Sequence, residues 1–323
     1  MKSFYLLLFL GLACQASMQS TNNASKPYVI AHRGLPYFAP EETLFSYQLA
    51  ADIGADYLEA DLQRTRDSVI ICLHDNNLRR TTNIEDVFPD RADDPVSTFN
   101  LDELLQLDAG AWFNQKFPDK SHDKYNGLKI LTLNQLLKIA ESSDNQPGVY
   151  LETKHPDQFP GIEKQLHKQL DHRGWVGTFF DDGRPKLILQ SFSSESLALL
   201  HRYFPSTPLC YLLWKGEGCL VNFDKDYVQK CLEQAKMFGV SIIGPSFSGE
   251  RTHYFNLMQP WFVQMVNEKG FDLHPYTFDT PKDISTYAPL SSGQFTNRAD
   301  LLLDYYHRAH PTVSELMETL NIE

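Results

Sequence analysis

Along the chain, short apolar runs alternate with segments whose apolar residues recur every three or four positions. The runs are "YVIAH" (28–32), "DYLEADLQ" (56–63), "VIICLH" (69–74), "GVYLETK" (148–154), "KLILQSF" (186–192), "PLCYLLW" (208–214), "VSIIGPSF" (240–247) and "FDLHPYTF" (271–278). Their length and β-branched content predict strands. Helical periodicity falls at about 41–53, 101–108, 133–142, 159–173, 194–203, 226–238, 256–269 and 298–307. Thr132 and Ser193 stand where N-caps belong, and Gly54, Gly174, Gly239 and Gly270 stand where helices stop. Strands alternating with helices build βαβ units around a parallel sheet. Eight strand candidates predict an α/β fold, a TIM-type (β/α)8 barrel, with an open doubly wound sheet as the alternative. The barrel is preferred because residues capable of chemistry recur at the C-terminal ends of several strands.

Two stretches break the alternation. The runs at 56–63 and 69–74 are too close for a helical crossover, so they form a hairpin or one bent ribbon. If Asp67-Ser68 is a two-residue turn, Asp61 lies directly opposite His74 on the same sheet face. Residues 76–128 are long, polar and rich in Pro and Asp, which predicts a small inserted subdomain at the barrel mouth after the early strands.

The chain has 323 residues, enough for one large barrel or two ordinary domains. Its net charge of −12 argues against a nucleic-acid or anionic-membrane binder, since phosphate backbones are held by Lys and Arg clusters. A small anionic substrate would need local positive charge to overcome that field. Lys2, the apolar run "FYLLLFLGLA" and the small and polar residues after it predict a secretory signal peptide within 1–24, with cleavage after Ala16. The apolar run is too short to span a bilayer, so no integral membrane segment is expected once the signal is removed. Residues 25–323 then form an exported protein, periplasmic or secreted; Cys14 offers lipid anchoring as a variant, and a buried N-terminal helix is the alternative to a signal. Of the remaining cysteines, Cys72 reads as a buried thiol, and Cys210–Cys219 and Cys219–Cys231 are alternative pairings. A monomer and a homodimer are both compatible with the sequence.

The densest chemistry lies in "YLEADLQRTRDSVIICLHD". Glu59 and Asp61 are two residues apart on a strand and share a face. Two carboxylates on a face buried in a barrel require a cation. Glu152 and Lys154 share a face in the same way. Three carboxylates from strand ends, with no Cys among them, suit one hard divalent cation, Ca²⁺ or Mg²⁺. The bland alternatives are a strand-end His74 bonded to Asp75 and a Glu152–Lys154 salt bridge. "AHRG" adds a bidentate fork for phosphate at Arg33, a titratable group at His32 and room for close approach at Gly34. A metal, an Arg, a Lys and two histidines at one mouth make a set that can cleave a phosphodiester.

At this point the chain resembles the glycerophosphodiester phosphodiesterases, most closely the exported bacterial type. The resemblance rests on "AHRG" (31–34), "PEET" (40–43), "GADYLEADLQRTRD" (54–67), "LHDNNLRRTT" (73–82), "LDAGAWF" (107–113), "LTLNQLL" (131–137), "YLETK" (150–154), "HPYTF" and "GQFTNRADLL". It implies a metal site at Glu59, Asp61 and Glu152, and His32 and His74 as the acid–base pair. It further implies phosphate binding by Arg33 with Lys154 nearby, a supporting role for Glu41, and an aromatic substrate wall at Tyr276. Three positions depart from the family: Glu42 for Asn or His, Tyr276 for Trp, and Asn297 for Asp. Of the two carboxylates in "PEET", Glu41 is expected to matter and Glu42 to occupy a variable position. The expected activity is hydrolysis of small-molecule glycerophosphodiesters to sn-glycerol 3-phosphate and an alcohol. A phospholipase on the same barrel would show an apolar rim, and a non-catalytic phosphodiester-binding protein would have lost one of the five core groups.

Overall fold

The computed structural model describes residues 26–216, 219–247 and 256–320. The expected signal segment, Ala16 and Cys14 lie outside the described residues. Among the described residues, nine strands form one sheet: β1 (Tyr28–Ala31), β2 (Tyr57–Arg64), β3 (Ile70–Cys72), β4 (Gly148–Thr153), β5 (Leu187–Ser191), β6 (Leu209–Leu213), β7 (Ile242–Pro245), β8 (Asp272–Leu273) and β9 (Gly293–Thr296). Eight of them run parallel in the order β8-β7-β6-β5-β4-β2-β1-β9, and β3 pairs only with β2. The two ends meet through backbone bonds: Ser292 N–H to Leu273 O at 3.0 Å, Phe295 N–H to Pro275 O at 3.1 Å, and Phe278 N–H to Phe295 O at 3.0 Å. The result is a nearly closed TIM-type barrel.

The eight barrel strands are not the eight expected. The run at 69–74 is the antiparallel arm β3, lying outside the parallel path. The eighth strand is "GQFT" (293–296), which carries no apolar run because Gln294 and Thr296 are buried as polar groups. The helices begin and end close to the predicted positions. Thr132 and Ser193 accept hydrogen bonds from Gln135 N–H and Ser196 N–H as N-caps. The stretch at 101–108 yields only one turn of helix, Leu101–Leu104, and Pro281–Tyr287 and Val313–Thr319 are helices without a predicted counterpart.

The hairpin register also differs from the expected one. Leu62 pairs with Cys72, Gln63 with Ile71 and Arg64 with Ile70. The connection from Thr65 to Val69 is a three-residue loop, closed by Thr65 N–H to Val69 O at 2.9 Å, with Ser68 left-handed at φ 67°. That extra residue slips the ladder by one position. Asp61 therefore opposes Leu73, whose N–H donates to Asp61 O at 2.8 Å, and not His74. His74 is placed by another route. The chain leaves the ladder after Leu73, and the Gln63 amide donates to the carbonyls of Leu73, His74 and Asp75 at 2.6, 3.3 and 2.8 Å.

Two apolar clusters hold the barrel. One lies between strands and helices; the other fills the interior with Ile30, Tyr57, Tyr150, Ile188, Cys210, Leu212, Ile242 and Phe295. Residues 76–128 join the outer cluster through Ile84, Phe99, Leu104, Leu107, Phe113 and Tyr125. Cys219 and Cys231 form a disulfide, while Cys72 and Cys210 are buried free thiols. No helix among the described residues is long and apolar enough to cross a membrane.

At the N-terminal end of the barrel, Asp56 ties distant segments together. Its carboxylate accepts from Val29 N–H at 2.8 Å, from Arg184 at 3.3 Å, and from Arg308 at 2.5 and 3.0 Å. Removing it leaves the partly buried Arg308 with the Gly54 carbonyl and Arg184 with the exposed Asp182. Asp56→Ala is expected to cost about 2–4 kcal/mol of unfolding free energy, read by urea denaturation, while Asp182→Ala, at the exposed end of the same network, costs under about 1 kcal/mol.

Candidate active site

Inward-facing positions change character along β2, β4 and β5. On β2 they run Tyr57, Glu59, Asp61; on β4, Tyr150 and Glu152; on β5, Ile188 and Gln190. The apolar members fill the lower barrel, and the polar members begin where a cavity of about 670 Å³ opens at the C-terminal ends of the strands. Charged groups avoid the closed layer because an ion without partners there would lose its hydration. The cavity has two walls. His32, Arg33, Glu59, Asp61, His74, Glu152 and Lys154 line one; Phe192, Leu212, Trp214, Phe247, Tyr276 and Phe295 line the other. Every expected site residue except Glu41 lines this cavity, and Glu41 binds Arg33 from behind.

The parallel register sets Asp61 beside Glu152, and one carboxylate oxygen from each of Glu59, Asp61 and Glu152 lies within 4.8 Å of the others. All three are nearly fully buried, at 1%, 1% and 4% exposure. Burial and the Asp61 charge push Glu59 up, and burial pushes Glu152 up to about 8. Burial opposes the charge on Asp61 too, but Lys154 and Arg33 outweigh it and hold Asp61 well below the usual range. Lys154 Nζ lies 3.3 Å from Asp61 Oδ1 and 3.2 Å from Glu152 Oε1. Arg33 Nε lies 3.0 Å from Asp61 Oδ2, yet without hydrogen-bond alignment, so this buried oxygen has no hydrogen-bond partner. An all-oxygen donor set with a buried carboxylate oxygen that accepts no hydrogen bond fits a hard divalent cation.

The strand end that carries the basic pair is built from backbone constraints. Arg33 and Gly34 are both left-handed, at φ 56° and 88°. A Cβ on Gly34 would lie 2.4 Å from Ser46 Oγ, so only glycine fits. Ser46 Oγ accepts from Leu35 N–H at 2.7 Å and donates to Arg33 O at 3.2 Å. Arg33 N–H donates to Glu59 Oε2 at 2.9 Å, and Gln190 donates to Glu59 Oε1 at 2.9 Å, so both oxygens of Glu59 are aimed.

His74 Nδ1 lies 2.7 Å from Asp75 Oδ1. A carboxylate accepts, so the proton sits on Nδ1 and Nε2 is left for the cavity. Arg80 grips Asp75 and Glu41 together, donating to Asp75 at 2.6 and 3.0 Å and to Glu41 twice at 2.7 Å. Glu41 also accepts from Arg33 Nη1 at 3.1 Å. Burial works against Glu41's charge, but Arg80 and Arg33 hold it down at about 2. His32 is backed by a neutral group, with Nδ1 at 2.9 Å from Asn297 Oδ1; burial and Arg33 lower it to about 3. The Tyr276 hydroxyl donates to Leu213 O at 3.0 Å, and its ring meets Phe192 edge-on.

Glu42 corrects the expectation that only Glu41 matters. It is buried, its Oε1 accepts Asp61 N–H at 2.8 Å, and its backbone is left-handed at φ 55°. Gln190, Arg80, Gln63 and Asp279 went unremarked in the sequence. Arg80 stands within "LHDNNLRRTT" and Gln190 within a strand run, but neither has a spacing that reveals its partner.

The sequence model of the glycerophosphoryl diester phosphodiesterase family matches residues 32–301. A glycerophosphodiester phosphodiesterase of Bacillus subtilis is 33% identical over 273 residues, covering 84% of each chain. A crystal structure of glycerophosphodiester phosphodiesterase from Agrobacterium tumefaciens superposes with a TM-score of 0.62 at 24% identity, over 86% of this chain and 99% of that one. An Oleispira antarctica phosphodiesterase, solved in complex with the product sn-glycerol-3-phosphate, superposes with a TM-score of 0.64 at 21% identity, over 87% and 97%. The likeness to these two structures establishes the shared barrel.

The carboxylates make the fold sensitive to backbone geometry and to pH. Left-handed backbone suits Asn far better than a β-branched residue. Glu42→Gln, which keeps an acceptor for the Asp61 N–H, is expected to change stability by under about 1 kcal/mol, whereas Glu42→Val, which orphans that N–H and puts a β-branched residue in left-handed backbone, costs about 3 kcal/mol or more in chemical denaturation. Glu42, Glu59 and Glu152 have raised pKa values in the fold. Their contribution is fully present below the unfolded carboxylate range and is lost as pH rises through the folded values, with Glu152 at about 8. Melting in EDTA should therefore occur at lower temperature at pH 8 than at pH 5. Added Mg²⁺ or Ca²⁺ should raise the melting temperature more at pH 8, and Glu152→Gln should flatten both effects.

Proposed function

The chain belongs to the glycerophosphoryl diester phosphodiesterase family, and on that footing we propose that it hydrolyses glycerophosphodiesters to sn-glycerol 3-phosphate and an alcohol. The observation that carries this reading is the convergence of two histidines, two cations and three carboxylates on one wall of one cavity. Arg33 and Lys154 supply the positive charge that receives the phosphate. Glu59, Asp61 and Glu152 hold one divalent cation, Ca²⁺ or Mg²⁺. When bound, that ion adds charge stabilisation at the phosphoryl oxygens.

The proton transfers belong to the histidines. Nε2 of one imidazole takes the proton of the attacking hydroxyl, either water or the glycerol 2-hydroxyl by way of a cyclic phosphate. As the new P–O bond forms, the bond to the leaving alcohol breaks, and the other imidazole, protonated, gives that oxygen its proton. On the cyclic route, water opens the ring with the two roles reversed. The Asp75 carboxylate offsets the positive charge of a protonated His74, and Arg80 keeps Asp75 in line. Glu41 holds Arg33 in place, and Tyr276 with its aromatic neighbours offers an apolar face to the carbon skeleton of the substrate. Export to the periplasm or beyond is part of the same proposal and rests on residues 1–24.

The test is release of glycerol 3-phosphate from glycerophosphocholine, with and without EDTA, followed by re-addition of metal. Chelation should abolish turnover, and Ca²⁺ or Mg²⁺ should restore it. His32→Ala and His74→Ala should each lower kcat by about 10²–10⁴-fold. Turnover unaffected by chelation or by either substitution would sink the mechanism.

A further inference from the structure

The hydrogen bonds behind His32 have a fixed direction. Asn297 N–H donates to Asp279 Oδ1 at 2.7 Å, and Asn297 Nδ2 donates to Asp279 Oδ2 at 2.7 Å. Thr296 Oγ1 approaches the same Oδ1 at 3.4 Å. Both carboxylate oxygens are thus acceptors, and the amide nitrogen of Asn297 is committed to Asp279. What remains for His32 is the amide oxygen, 2.9 Å from Nδ1. A carbonyl oxygen only accepts, so His32 must donate from Nδ1. Turning the amide over would set two oxygens 2.7 Å apart and would require a proton on Asp279.

We infer that Asp279, acting through Asn297, is a positioning residue that fixes His32 as the Nδ1–H tautomer and leaves its Nε2 lone pair bare at the cavity. Asp279 does not line the cavity, and it reaches His32 through the Asn297 amide rather than by a bond of its own. The inference rests on the reading of His32 as a proton-transfer group only for its effect on rate. The tautomer itself follows from the hydrogen bonds alone.

The arrangement has a mirror image that can be tested. In the double variant Asp279→Asn/Asn297→Asp, the amide and the carboxylate change places. The new amide at position 279 accepts the backbone N–H of residue 297 through its oxygen. Its nitrogen donates to one oxygen of the new carboxylate at position 297, and the other oxygen accepts His32 Nδ1–H. Each single change breaks the chain of directions: Asp279→Asn lets both amides turn over, and Asn297→Asp sets two carboxylates against each other. The experiment combines ¹⁵N NMR of the histidine-labelled full chain, with His32 assigned by the signal lost in His32→Gln, and kinetics on glycerophosphocholine. In the unmutated chain His32 should show a protonated Nδ1 and a bare Nε2. Asp279→Asn and Asn297→Asp should each lower kcat about 10–100-fold with KM within about 3-fold. The double variant should return to within about 3-fold of the starting kcat. A role confined to stability would lower the melting temperature without this recovery. The inference is overturned by a proton on Nε2 in the unmutated chain, or by a double variant that melts normally and is no faster than its slower parent. A correct tautomer together with an active His32→Ala would uphold the positioning and refute the catalytic reading of His32 instead.

Discussion

The structure depends on keeping three carboxylates together inside a barrel. Glu59, Asp61 and Glu152 would repel one another in any environment, and burial adds to the difficulty. Their closeness follows from the parallel register, which sets Asp61 against Glu152 and gives no freedom to splay. Compensation has to come from nearby, and it does: Lys154 bridges Asp61 and Glu152, and Arg33 faces Asp61 while its backbone N–H holds Glu59. Several otherwise unrelated features serve this balance. Gly34 lets the chain turn sharply enough to bring both the amide and the guanidinium of Arg33 to bear, and Gln190 takes the second oxygen of Glu59.

A second layer holds the first in place, and it is also ionic. Glu41 and Asp75 come from two different loops, and Arg80 binds both through paired hydrogen bonds. One guanidinium therefore couples the position of Arg33, through Glu41, to that of His74, through Asp75. Bidentate geometry makes such a strut directional in a way that a lysine would not. Arg80 stands at the start of the stretch 76–128, whose apolar residues are packed into the outer core. That packing gives the strut a rigid base.

Much of this was legible in the sequence, and the failures have physical causes. The inward alternation on β2 and β4 exposes Glu59, Asp61 and Glu152 as a set, because a strand has only two faces. His74 reached the cavity for a reason other than the one inferred. The ladder is slipped by one residue by Ser68 in a left-handed turn, and Gln63 bends the chain end to the place that the expected register would have supplied. The eighth strand was hidden because its helix-facing residues are polar and satisfied: Gln294 bonds Ser291 and Tyr306, so no apolar run marks it. Glu42 was misjudged because a glutamate in a left-handed turn is unusual; only the buried N–H of Asp61 explains what its side chain does there.

Charge counting then links the metal to the substrate. Three carboxylates and two cations leave the charged wall one unit negative when all are ionised. A phosphodiester also carries one negative charge, so the fully ionised wall would repel it; burial raises Glu59 and Glu152, so at lower pH these two hold protons and the repulsion is relieved. A divalent cation reverses the sign, and the wall becomes one unit positive. The phosphodiester then brings the total to neutrality, a balance that a cavity of low polarisability favours. The aromatic residues that share the lining supply little screening, which makes each unit of charge count for more. Where the carboxylates are ionised, cation and substrate are thus expected to bind with positive coupling. The acidic cluster and the basic pair, which look contradictory in the sequence, are two parts of one charge balance that closes when both are present.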